Sequence, residues 1–147
     1  MKINKLITEE LNTIFEEIGD YTDKSLAIED GFKSLNKIFG TNLTINDFKL
    51  TSQYPKTDYY HLKPEVAEKI MPELLPKIIS VTGHDYRYIK PNTIELVINS
   101  IYLWHDSKYT LSFYLAELKD ISKSTQHFFT FPTDVKKLGG GINERNY

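Results

Sequence analysis

The chain contains no cysteine, which excludes disulfides, thiolate nucleophiles and zinc–thiolate centres. Arginine occurs only twice, as Arg87 and Arg145, so bidentate recognition of phosphate groups has few donors. No apolar run approaches the ~18 residues that a membrane-spanning helix needs. Glu9 and Glu10 interrupt the N-terminal segment before the apolar core of a secretory signal could form. A cytoplasmic, reduced compartment is the simplest expectation, with no membrane association. A strong charge of one sign is also missing. The formal net charge is −2, with six basic and nine acidic groups in residues 1–50 and eight basic and seven acidic in residues 81–147. Such a balance argues against nucleic-acid binding driven by clustered Lys and Arg.

Catalytic signatures are absent as well. There is no Gly-x-Ser-x-Gly turn. His61, His84, His105 and His127 are never spaced i, i+4 as metal ligands on a helix would be, so neither metal nor cofactor is expected. Gly139, Gly140 and Gly141 have too little chain after them for the helix that a phosphate-binding loop requires. The expectation is a single domain over residues 1–135 and a flexible Gly-rich tail over residues 136–147.

What the chain does have is a pattern of two halves. Ile3, Leu6, Ile7, Leu11, Ile14, Phe15 and Ile18 recur at intervals of three and four, which predicts an amphipathic helix closed by Gly19 with its glutamates on the wet flank. A second helix is predicted from Thr22 or Asp23, carrying Ile28, Phe32, Leu35, Ile38 and Phe39 and ending at Gly40, with a break at Gly31 as an alternative. These two would pair as a helical hairpin burying Ile14, Phe15, Leu35 and Phe39. Residues 41–63 read as either a short strand or a helical turn, with a short edge strand over Asp58–Lys63. Val66, Ile70, Leu74 and Ile78 then mark a third helix starting at Pro64. Pro72 and Pro76 predict two pieces meeting near Met71, and Gly83 closes the segment.

From His84 the period changes to two. Strands are predicted over 84–89, over 94–103 with both faces covered, over 109–118 with Leu111, Phe113 and Leu115 inward, and over 127–131. A turn is predicted at His105–Lys108. The predicted fold is therefore α+β: two or three N-terminal helices packed on one face of a C-terminal antiparallel sheet of about four strands.

This sheet holds ten of the nineteen aromatic residues. Tyr86, Tyr88, Trp104, Tyr109 and Tyr114 exceed what a small core requires, and Tyr and Trp are enriched at binding hot spots. They are the candidate partner-binding residues. The composition and the missing catalytic motifs favour a small protein-binding module, an inhibitor or immunity or anti-defence accessory protein of bacterial or phage origin. The alternative is a metal-independent ribonuclease using His84, Arg87, Lys108 and His127, with Tyr114 beside them, as acid, base and phosphate clamp. A third reading is a structural accessory protein that forms a homo-oligomer.

Overall fold

The computed structural model describes residues 3–5, 13–19, 21–84, 89–103 and 106–118. Three β-hairpins alternate with two helices along the chain: β1 (Ile3–Lys5), β2 (Thr13–Ile18), α1 (Lys24–Phe39), β3 (Phe48–Tyr54), β4 (Thr57–Leu62), α2 (Pro64–Thr82), β5 (Thr93–Leu103) and β6 (Asp106–Ala116). The strands form one antiparallel sheet in the order β1-β2-β6-β5-β4-β3. The last hairpin is thus inserted between the first two.

This arrangement overturns the predicted one. Helices are not gathered at the N-terminus, strands interleave with them, and the sheet has six strands rather than about four. The segment read as a first helix supplies β1 and β2 instead. Its spacing of three and four was real, but over six residues a helical stripe and a buried strand place apolar groups at overlapping positions. Burial decides between them: Thr13, Ile14, Phe15 and Glu17 are all buried, because β2 lies between β1 and β6. The predicted helical hairpin does not exist, yet Ile14, Phe15, Leu35 and Phe39 share one core.

Helix α1 follows its sequence signals closely. The Asp23 carboxylate accepts from Ser25 N at 2.9 Å and Leu26 N at 3.3 Å, capping the N-terminus. Gly40 adopts φ 69° and donates to Asn36 O at 2.8 Å, so the helix stops there. Gly31 does not break it. A Cβ at that position would sit 2.7 Å from Leu111 Cδ2, so the missing side chain lets α1 lie close on β6.

Residues 48–62 form the β3–β4 hairpin, turned by Pro55 and Lys56. The segment expected as an edge strand is β4, which lies between β3 and β5. Helix α2 is one continuous helix rather than two pieces. Pro72 and Pro76 are both exposed, while Ala67, Met71, Leu74 and Ile78 are buried. The carbonyls that lose their intrahelical partners lie on that outer side, where water can take the place of the missing N–H.

Both helices contribute to a single core against one face of the sheet. Ile94, Leu96 and Ile98 of β5 lie opposite Leu115, Phe113 and Leu111 of β6, and all six are within 2% of full burial. The Phe113 ring lies 5.3 Å from Phe32, 6.1 Å from Phe15 and 6.4 Å from Phe48, joining α1, β2 and β3 through tilted and edge-on contacts.

Inside this layer the Tyr21 hydroxyl lies 2.7 Å from Glu17 Oε2 and 3.1 Å from Asp30 Oδ2. Glu17 was expected on a wet helix flank, but it is fully buried and its carboxylate accepts from this hydroxyl. Burial first, and then the bond to Glu17, hold the Tyr21 phenol far above the usual tyrosine range. Burial likewise raises Tyr60, and the bond to Asp58 raises Lys24. All three groups favour the protonated form more in the folded state than in the unfolded chain, where titration centres near pH ~10. Their contribution is therefore complete below about pH 10 and is lost as pH rises beyond it. In urea titrations across the alkaline range, stability should fall above that pH, and Tyr21→Phe should flatten the fall. An unchanged slope in Tyr21→Phe would refute the assignment.

Candidate functional site: the helix-free face of the sheet

Antiparallel pairing aligns the side chains that point away from the helices into cross-strand rows. One row runs Lys49–His61–Glu95–Tyr114 across β3, β4, β5 and β6. The next runs Tyr59–Val97–Ser112–Glu16. A third runs Thr57–Asn99–Thr110. Among the described residues neither helix lies on this face, in keeping with helices on one side of the sheet only. Val97 and Ser112 are buried at its centre, and Tyr59, His61, Glu95 and Tyr114 are half-buried around them.

Side-chain bonds stiffen the rows. Thr57 Oγ1 donates to Asn99 Oδ1 at 2.8 Å. The Tyr54 and Tyr59 rings meet edge-on at 6.0 Å. His61 places Nδ1 3.2 Å from Thr51 Oγ1 and Nε2 3.7 Å from Glu95 Oε2. A hydroxyl, an imidazole and a carboxylate in line have the connectivity of a nucleophile, a base and its orienting group. Thr51, however, is fully buried at the β3 bulge, and its hydroxyl also donates to Tyr59 O at 3.2 Å. No substrate carbonyl could reach it. The line holds the imidazole in place rather than generating a nucleophile.

The residues singled out from sequence are distributed differently. Tyr109 and Tyr114 fall on opposite faces of β6, since they are five positions apart on a strand of period two. Tyr114 lies on the helix-free face opposite Glu95. Tyr109 packs against the core from the helix side, and its N–H donates to Tyr21 O at 3.2 Å. Tyr86, Tyr88 and Trp104 lie outside the described residues, as do the predicted strands over 127–131 and most of 84–89, and the Gly-rich tail.

For the ribonuclease set, Arg87 and His127 also lie outside the described residues. His84 Nε2 lies 2.6 Å from Thr13 O. A carbonyl only accepts, so this nitrogen carries the proton and ties the end of α2 to the start of β2. Thr13 is aligned with Tyr114, and Lys108 lies six positions further along β6, roughly 20 Å away at ~3.3 Å per residue. The structure does not bring His84 and Lys108 together.

Sequence reasoning missed Tyr59, His61 and Glu95 as neighbours. Their alternation is visible within β4 and within β5. What places them side by side is the register between the two strands, which no local pattern records.

Among the described residues, two cavities lie outside this face. A groove of about 470 Å³ runs between α2 and the 40–43 segment, with Val66, Ile70, Lys69 and Lys77 on its walls. A smaller cavity of about 210 Å³ sits beside the Pro55–Lys56 turn. Among the described residues no group of three His, Asp or Glu side chains is placed to hold a metal ion, and no helix is long and apolar enough to cross a membrane. No protein-family model, curated protein or solved structure matches the chain.

Proposed function

We propose that this chain is a protein-binding module whose contact surface is the helix-free face of the sheet, and that it inhibits its partner in the manner of an immunity or anti-defence accessory protein of bacterial or phage origin. The observation that carries the reading is the alignment of Tyr59, His61, Glu95, Tyr114 and Glu16 in rows on a face that no described helix covers. Half-buried tyrosines present rigid, amphipathic area at little entropic cost, as contact residues do. Polar groups of both signs lie on this face, Glu16 and Glu95 with Lys49 and His61, and a protein partner with mixed charges fits it. The hydroxyl of the Thr51–His61–Glu95 line is sealed from substrate, which favours recognition over hydrolysis at this face.

A photo-crosslinking side chain at Tyr114 should capture a partner that the same group at Glu68, exposed on the outer side of α2, does not. With that partner purified, Glu95→Lys should weaken binding by at least roughly tenfold, because a half-buried carboxylate beside His61 gives way to a longer cation in the middle of the contact face. Thermal melts of the variant separate lost contact from lost folding. Equal capture from both positions, or undiminished affinity in a folded Glu95→Lys, sinks the proposal.

A further inference from the structure

The cavity beside the Pro55–Lys56 turn is a separate feature, on the helix side of the sheet, and goes beyond the binding face described above. Its volume of about 210 Å³ leaves room for a small anion. Its walls carry an excess of hydrogen-bond donors. Lys24, Lys56, Gln53, Ser100 and Tyr109 line it against a single carboxylate, Asp58. That carboxylate is already taken: Lys24 Nζ lies 2.5 Å from Asp58 Oδ2, and the Asp58 side chain is only 10% exposed. The pair is therefore a fixed, built wall. Among the described residues the side chains of Lys56, Gln53, Ser100 and Tyr109 have no hydrogen bond or ion pair. One positive charge and several donors are left over.

The first turn of α1 is not what would bind here, since Asp23 already accepts from Ser25 N and Leu26 N. The turn itself is unusual in a way that bears on Lys56. Its φ is 72°, and it is the only non-glycine described residue with positive φ. A left-handed conformation costs a side-chain-bearing residue about 1–2 kcal/mol, and Gly or Asn would relieve it. A lysine at this position is thus unfavourable locally. Its backbone is pinned as well, with Ser100 N donating to Lys56 O at 2.7 Å.

We propose that this cavity is a binding site for a small oxyanion, a phosphate or carboxylate group, held by Lys56 with the hydroxyls of Ser100 and Tyr109 and closed on one side by the Lys24–Asp58 pair. Asp58 neutralises Lys24 without donors of its own to offer, so the unpaired lysine sets the net charge of the site.

The test is a heteronuclear NMR titration of the whole chain with inorganic phosphate and, separately, with acetate, each against sodium chloride at matched ionic strength. Saturable shifts at the backbone amides of Lys56, Thr57, Ser100 and Tyr109 are expected with at least one of the two, and the tighter one names the group. Lys56→Asn keeps the left-handed turn and removes the charge. It should leave the melting temperature unchanged or raised while weakening that anion by about tenfold, the value of one charge-assisted hydrogen bond. Tyr109→Phe should weaken it less. If neither anion gives saturable shifts beyond those of chloride, or if Lys56→Asn binds as tightly as the wild type, the site does not exist.

Discussion

Phe113→Ala should lower the unfolding free energy by about 3–5 kcal/mol, the range for truncating a fully buried phenylalanine. The reason is position as much as size. Phe113 has no exposed surface, and its ring touches Phe15 from β2, Phe32 from α1 and Phe48 from β3. These contacts come from three elements that cannot all move inward, so the cavity stays largely open. Phe113 also belongs to the last hairpin, which closes the sheet by pairing β6 with β2 and β5 with β4. Urea unfolding of wild type and variant measures the loss. A change below about 1 kcal/mol, the scale of an average substitution, would mean that this cluster is not the packed centre of the fold.

Gly31 gives the second large effect, and one with a sign that depends on its neighbour. In an isolated helix Ala in place of Gly is worth about 1 kcal/mol. Here the added Cβ would lie 2.7 Å from Leu111 Cδ2 and 3.6 Å from Leu111 Cβ and Cγ. Leu111 is fully buried, so its terminal methyl cannot swing into solvent, and overpacking of this kind costs about 1–3 kcal/mol. Gly31→Val, bulkier and β-branched, should therefore destabilise by about that amount. Gly31→Ala should not stabilise the wild type. In a Leu111→Ala background the clash is gone, and Gly31→Ala should stabilise by roughly 0.5–1 kcal/mol. The same gain in both backgrounds would show that close approach of α1 to β6 is not why glycine stands there.

The parts legible in the sequence are those whose signals are local. Asp23 and Gly40 bracket α1 because a cap and a left-handed stop act within one turn of the helix they end. Gly83 ends α2 in the same way, with φ 69°. The alternation of Leu111, Phe113 and Leu115 reads directly as the buried side of β6. Residues 13–18 were not legible. Ile14, Phe15 and Ile18 satisfy a helical stripe on paper, and Glu17 looks like a solvated residue until Tyr21 is seen bonded to it. The candidate site was legible only in part. Tyr114 was visible as a surplus aromatic, but Tyr59, His61 and Glu95 became its neighbours through strand register.

The sequence by itself determined which segments are amphipathic, where two helices start and stop, and which side of β6 faces the core. These follow from propensity, capping and periodicity, all set by residues within a few positions of one another. Only the tertiary structure decided that residues 3–5 and 13–18 are strand, that the last hairpin fills the middle of a six-stranded sheet, and that one face of that sheet carries rows of Tyr, His, Glu and Ser. Those outcomes depend on which strand lies beside which. Pairing β2 with β6 joins residues about a hundred positions apart, and burial of Ile14 and Phe15 in that pairing outweighs the weak local preference of six residues for a helix.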